Sequence, residues 1–308
     1  MQAIQINQYG DNSVLEQVEI PIPQPMPNQV LVQLKASSIN PVDYKIRSGY
    51  MSAMLPKAFP FILGWEGAGI ITEVGSDVKN YQSGDEVMLM ANFMQGGTYA
   101  EYVAVNADEI MLKPQSLSFE EASVIPFSLG TAYTALIVDA NIKEGQQILI
   151  HGAGGAVGQM AIQIAKKSGL KVMGTATGKN LEEITALGAD TAIDYTNTDF
   201  SAVVKDVDAV LDLVGGETLS KSYAVVKKGG IIVSTTQPPD AAELSKLDIS
   251  GKMTQTRSNS GLFPKISEWL ETEKVKVKQP QVLPFSDAKN ALSLVENRKA
   301  QSKIVLKF

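Results

Sequence analysis

The chain has 308 residues, 44% hydrophobic and 19% charged, enough for two domains with separate cores. A net charge of −6 argues against a nucleic-acid partner, which needs a basic face, and no apolar run reads as long enough to span a membrane. With no cysteine and one histidine, His151, a disulfide framework is excluded and a catalytic zinc has almost no ligands to draw on; the expected home is the cytoplasm.

The N-terminus, Met1-Gln-Ala-Ile-Gln-Ile, lacks the basic and apolar regions of a signal peptide. Prolines at 21, 23, 25 and 27 make an extended spacer that cannot be helix. Val30–Leu34, Gly69–Val74, Glu86–Met90 and Tyr99–Val105 are short strand-like runs separated by Gly, Pro and Asn/Asp turns, the pattern of a compact barrel or folded sheet. Asn40-Pro-Val-Asp43 is good turn chemistry, with Pro41 fixing φ. Residues 120–139 read as helix, interrupted near Pro126 and Gly130.

From residue 147 the rhythm becomes strand and helix in alternation, which predicts crossover connections and a doubly wound parallel sheet. Gln147–His151 is a short apolar strand running into Gly152-Ala-Gly154-Gly155-Ala156-Val157-Gly158, the turn by which a backbone approaches a pyrophosphate; a plain tight turn is the competing reading. Val157, Met160, Ala161 and Ile164 then recur at helical spacing. A second strand, Lys171–Thr175, ends in Thr175-Ala-Thr177-Gly-Lys179. Hydroxyls and a cation stand where NAD-binding chains place a carboxylate, so a ribose 2′-phosphate, and NADPH, is favoured over NADH; a solvated loop whose lysine binds nothing is the competing reading. Further strands are expected at 192–194, 209–213 and 230–234, with helices near 179–187 and 217–227. Two helices, 262–270 and 286–296, and a strand at 304–308 close the chain.

Several ordered motifs carry a resemblance. They are Ser38-Ile-Asn-Pro-Val-Asp-Tyr-Lys-Ile-Arg-Ser-Gly49, Gly64-Trp-Glu-Gly-Ala-Gly-Ile-Ile-Thr-Glu-Val-Gly75, Gly84-Asp-Glu-Val87, Gly96-Gly-Thr-Tyr-Ala-Glu-Tyr102, Thr131-Ala-Tyr-Thr-Ala-Leu136, Leu211-Asp-Leu-Val-Gly-Gly216 and Lys303-Ile-Val-Leu306. With the glycine turn they make the chain similar to zinc-independent medium-chain dehydrogenases/reductases, close to the quinone oxidoreductases that include zeta-crystallin and to the alkenal-reducing branch. The resemblance implies an α/β architecture: a GroES-like β domain (1–118), a Rossmann NADPH domain (119–260), a C-terminal return to the first domain (261–308), and an active site in the cleft. Zinc-dependent relatives have Cys at the position of Asn40 and His at that of Trp65, so both ligands are missing here.

Carried over by resemblance, Asn40, Asp43, Tyr44 and Lys45 line the nicotinamide end. Asn40, Tyr44 and Lys45 are the catalytic candidates, and Asp43 is a cofactor-binding one. Trp65 is either an aromatic wall for a planar substrate or a core residue. Thr131 matches a position near the nicotinamide ribose, or is an ordinary helix cap. Tyr195 matches the adenosine side, or is an exposed tyrosine without a role; Gly215 and Gly216 pass beneath the cofactor, or form a plain left-handed entry to a helix. The expected activity is metal-free reduction of quinones or α,β-unsaturated carbonyls by transfer from nicotinamide C4. A strict enal/enone reductase, or a non-catalytic NADPH-binding regulator, are the alternatives. The expected partner is a small electrophile, with no nucleic acid and no membrane; a homodimer is the family's habit.

Overall fold

The structure, a computed structural model, describes residues 1–254, 256, 262–272 and 275–308. It divides into two compact units, Met1–Phe127 with Arg257–Phe308, and Ser128–Thr256.

The first unit is built on the strand Gln29–Ser38. It pairs antiparallel with Glu66–Val74, with Tyr102–Asn106 and, at its far end, with Ile304–Lys307. Glu86–Met90 and Ile110–Leu112 extend the sheet on one side and Gln281–Pro284 on the other. A three-stranded sheet of Leu15–Glu19, Gln2–Ile6 and Phe61–Ile62 lies in the same unit. The two-residue period of Val30, Val32 and Leu34 puts all three on one face, in a core with Ile71, Val87 and Val105.

Residues 40–43 form a helix start rather than a turn. Asn40 is the N-cap of the helix Pro41–Arg47, and Asp43 Oδ2 accepts the Asn40 backbone N–H at 2.8 Å. Proline at the first helical position needs no N–H partner and its φ is already helical. The helix is anchored to another, Ala288–Glu296, through Arg47, which is 1% exposed. Its guanidinium forks onto Glu296, with Nη2–Oε1 at 2.9 Å and Nη1–Oε2 at 3.1 Å, while Nε donates to the Gly10 carbonyl at 3.1 Å.

The helical run after residue 118 breaks at Ser123 and Val124, not near Pro126 and Gly130. Ser118 and Glu121 form a reciprocal cap that starts Phe119–Ala122. Pro126 falls in the first turn of the next helix, Ile125–Tyr133, where a missing N–H costs nothing, and Gly130 continues that helix. A π-helical turn, Thr134–Asp139, follows. Contrary to the sequence expectation, Phe119–Asp139 is long and apolar enough on its own to cross a membrane. However, 67% of that apolar window is buried by the protein itself.

Among the described residues the second unit holds six strands, all parallel, in the order Thr191–Asp194, Lys171–Ala176, Gln147–His151, Val207–Asp212, Val226–Ser234, Ser250–Met253. In chain order this is 3-2-1-4-5-6, whose reversal between the first and fourth strands opens a crevice at their carboxyl ends. The helix Ala156–Lys167 buries Met160, Ala161 and Ile164, as its spacing predicts, while Val157, in its first turn, is only partly buried. The helix expected over 217–227 stops at Ser222, because Val226 already belongs to the fifth strand. The sixth strand carries no sequence signal, since Ser250-Gly-Lys-Met253 is a mostly exposed edge without alternating apolar residues. The helix before it, Ala241–Leu247, has a start signal in Asp240 three residues ahead of Glu243, and Asp240 accepts the Ala242 and Glu243 N–H groups.

Glu296→Ala leaves the buried Arg47 charge unpaired. Because the Glu296 side chain is 34% exposed, the expected loss is about 2 kcal/mol in urea unfolding, short of the cost of breaking a fully buried pair. Replacing both residues with leucine restores part of the loss; a double variant that merely sums the single losses contradicts the pairing.

Candidate functional site

In the first unit the candidate residues surround a buried carboxylate that sequence reasoning left unassigned. Glu66 is 0% exposed. Its Oε1 accepts from Ser38 Oγ, from Asn40 Nδ2 at 2.9 Å and from Lys303 Nζ at 2.8 Å, and its Oε2 accepts the Phe127 backbone N–H at 2.8 Å. Lys303 also donates to Asn40 Oδ1 and stands 5.7 Å from the Phe127 ring. The pairing of Ile304–Lys307 with Gln29–Ser38, continued by Ile39 N–H to the Ile304 carbonyl at 2.9 Å, brings Lys303 there. Both polar ends of Asn40 are therefore held, which fixes the amide's orientation and leaves it 1% exposed.

Asp43 departs from its expected role. It is 0% exposed, with Oδ2 accepting from the Asn40 N–H and from Tyr99 Oη, and with no partner for Oδ1 among the described residues. A carboxyl so enclosed positions the Asn40 helix start and presents no surface to a cofactor. Burial pushes its pKa up to about 7, against the Asn40 N–H, the Tyr99 hydroxyl and the Lys303 charge; Glu66 adds to the rise. Burial, then Asp43 itself, holds the Tyr99 phenol well above its usual range. Trp65 takes the core reading: it is 0% exposed, with ring centroids 6.3 Å from Phe61 and 5.7 Å from Phe93. Tyr44 and Lys45, one turn into the same helix, are partly exposed.

In the second unit the glycine turn has its expected form. Gly152 takes φ +70°, where a side chain is strained, and a Cβ on Gly158 would lie 2.5 Å from the Gly152 carbonyl. The helix thus passes too close to the backbone of the turn itself for any other residue at 158. Gly155 is exposed and caps the following helix without a side-chain bond. The amides of Ala156, Val157 and Gly158 are the first-turn donors that a helix leaves unsatisfied, at its positive end. A phosphate fits there.

At the end of the second strand only part of the expected set is free. Thr175 is 3% exposed and its hydroxyl lies 3.1 Å from His151 Nδ1, so it is a core hydroxyl and not a phosphate contact. Beside Thr177, the Asp194 carboxylate accepts from the Thr196 hydroxyl and N–H and from Asn197. These bonds hold the Asp194 carboxyl below its usual range. Lys179 is exposed, at the N-cap position of the helix Asn180–Ala186. Tyr195 is 57% exposed.

At the switch point Asp212 is fully buried, and its Oδ1 accepts the Val214 and Gly215 N–H groups at 3.1 and 2.9 Å while Oδ2 accepts from Ser234 Oγ at 2.8 Å. Gly215 and Gly216, at φ +80° and +57°, follow as the fixed entry to the helix Gly216–Ser222. His151, beside Asp212 in the parallel register, is structural. Ser222 Oγ donates to the Thr218 carbonyl at 2.7 Å and so accepts from His151 Nε2–H at 3.0 Å, which leaves Nδ1 to accept from Thr175. Burial lowers its pKa to about 4, with Asp212 opposing. Thr131, 5% exposed, shares a hydroxyl bond with Thr256.

No group of three or more His, Cys, Asp or Glu able to hold a metal occurs among the described residues. The sequence matches the profile of the alcohol dehydrogenase GroES-like domain over residues 26–115 and that of a zinc-binding dehydrogenase over residues 187–306. It is 34% identical to the chloroplast envelope quinone oxidoreductase homolog of Arabidopsis thaliana, over 98% of this chain and 94% of that one. It is 33% identical to the chloroplastic NADPH-dependent alkenal/one oxidoreductase of the same plant, over 99% of this chain and 79% of that one. The structure of Escherichia coli quinone oxidoreductase complexed with NADPH superposes with a TM-score of 0.87 at 28% identity, covering 100% of both chains. The plant relatives are chloroplast proteins by name, so the comparisons do not support the cytoplasmic expectation. Freedom from cysteine excludes disulfides without selecting a compartment.

The Asp43 shift has a measurable consequence. Its folded pKa lies above the roughly 3.9 of an unfolded aspartate, so between about pH 4 and 7 the folded chain keeps a proton that the unfolded chain releases. Its contribution to stability therefore falls as pH rises through that window, by up to about 1.4 kcal/mol per pH unit, and is level above it. Asp43→Asn should flatten this part of the pH–stability curve in urea unfolding; an unchanged slope excludes the assignment.

Proposed function

Since this chain belongs to the medium-chain dehydrogenase/reductase family, among its quinone oxidoreductases and alkenal reductases, we propose that it reduces quinones or α,β-unsaturated carbonyls with NADPH. The observation that carries this reading is the glycine turn at the sheet's switch point, followed by a helix start with no side-chain cap. Gly152, Gly154 and Gly155 with the amides of Ala156, Val157 and Gly158 would hold the pyrophosphate. Lys179 would take the 2′-phosphate. NADPH supplies a hydride from nicotinamide C4, so the protein need only orient the reactants and exclude water.

Asn40, held at both ends, is a rigid post at the start of the helix that carries Tyr44 and Lys45. Those two side chains supply donors to an oxygen that gains negative charge as hydride arrives, and such preorganised donors lower the barrier. No resident zinc takes part: the chain has no cysteine, and its one histidine is buried between Thr175 and Ser222. A homodimer is proposed on the family resemblance alone.

The test is loss of NADPH absorbance with phenanthrenequinone and, separately, with acrolein, each run beside NADH. Turnover of either establishes the activity and their ratio chooses the branch. Tight NADPH binding without turnover of any electrophile overturns it in favour of a regulatory protein. Lys179→Ala is expected to weaken NADPH roughly ten- to a hundredfold, the worth of a charge-assisted hydrogen bond, while leaving NADH nearly unchanged. A chelator should leave turnover intact; chelator-sensitive activity contradicts the metal-free reading.

A further inference from the structure

An enzyme that takes soft electrophiles must survive them. Thiols are the first targets of enals, and this chain has none; its only imidazole is 0% exposed. Amines are the nucleophiles that remain, and most lysines are protected by their charge. Lys57 differs in its surroundings. It lies just before the strand Phe61–Ile62, is half-buried, and has its Nζ 4.6 Å from the Phe61 ring centroid and 5.9 Å from that of Trp65. Its ammonium donates to the Phe93 carbonyl. Among the described residues no carboxylate pairs with it, and the titratable group beside it is the Tyr9 hydroxyl, which accepts the Lys57 backbone N–H at 2.9 Å.

Exposed apolar side chains lie near Lys57 in the sequence. Met54 and Phe59, 64% and 38% exposed, lie within three residues of it, and Met94, 58% exposed, follows the residue whose carbonyl it bonds. Two aromatic faces and one carbonyl stabilise a charge less than water does. Burial accordingly lowers the Lys57 pKa to about 8. Desolvation of this kind is how lysines become nucleophiles.

We propose that Lys57 is a site of covalent addition by α,β-unsaturated aldehydes, the electrophile class of the proposed activity, on which this inference rests. The neutral Nζ lone pair forms a bond to the β-carbon, and the C=C π pair shifts toward the carbonyl. The proton lost from nitrogen ends on the α-carbon. The product is a secondary amine with the aldehyde retained, and nothing is oxidised or reduced.

The test uses the full chain without NADPH, pulsed with acrolein, trapped with borohydride and mapped by peptide mass spectrometry. Cyanate, an amine reagent that is no hydride acceptor, is run in parallel, with exposed Lys79 and Lys289 as internal references. With both reagents Lys57 should react about tenfold faster than the references, since lowered basicity cancels part of the gain in free amine. Its rate should level off near pH 8 while theirs keeps rising. Labelling at or below the references with both reagents overturns the proposal, as does a Lys57 rate that climbs in parallel with theirs. Preference with cyanate but not acrolein overturns the enal assignment. None of these outcomes depends on turnover, so failure here and failure of the proposed activity are separable.

Discussion

A buried carboxylate dictates how the first unit closes. Glu66 sits out of water, and an ionised carboxyl there is tolerable only if its lone pairs are met by donors. Three separate stretches of chain supply them: Ser38 and Asn40 at the end of the central strand, Phe127 at the start of a helix, and Lys303 ahead of the last strand. The C-terminal return of the chain is thus an electrostatic requirement as much as a packing one. Asn40 inherits its orientation from this arrangement, and Pro41–Arg47 inherits its starting point from Asn40.

The second unit solves a comparable problem at the switch point of its sheet. Asp212 ties down the loop after the fourth strand through two backbone amides, and His151 is locked as a neutral ring between two hydroxyls. Neither group is offered outward. What is left facing solvent is backbone: an exposed glycine and the first amides of a helix. A site made of main-chain donors on rigid supports suits a ligand that carries its own reactive chemistry, because the protein has only to hold it still.

Much of this was legible in the sequence, for identifiable reasons. Alternation after residue 147 announced the parallel sheet, and Gly152, Gly155 and Gly158 announced its turn, Gly152 because its φ is positive and Gly158 because close approach of backbone leaves no room for a side chain. Local pattern could not show which way a side chain faces. Thr175 stands at the expected place in the chain, yet its hydroxyl points to His151. Asp43 and Trp65 were singled out by resemblance and are enclosed by residues distant in sequence. Glu66 and Lys303 both lay inside motifs that marked the family, but their partnership with Asn40 spans 263 positions at its widest and leaves no local trace. The edge strand Ser250–Met253 went unseen because a strand paired on one side and exposed needs no apolar alternation.

The division of the chain also sets a timetable. Residues 128–256 form one uninterrupted unit, whose first and last turns are joined by the hydroxyls of Thr131 and Thr256. It holds every strand it needs before the ribosome reaches the closing segment. The unit that flanks it in sequence does not: its N-terminal part is synthesised first and then waits, with Glu66 lacking Lys303, until the final strand emerges. Domains generally fold as units as they leave the ribosome. The parallel-sheet unit is therefore complete in sequence first although it is begun second, and the unit that carries Asn40, Tyr44 and Lys45 lacks a partner for Glu66 until Lys303 has been made.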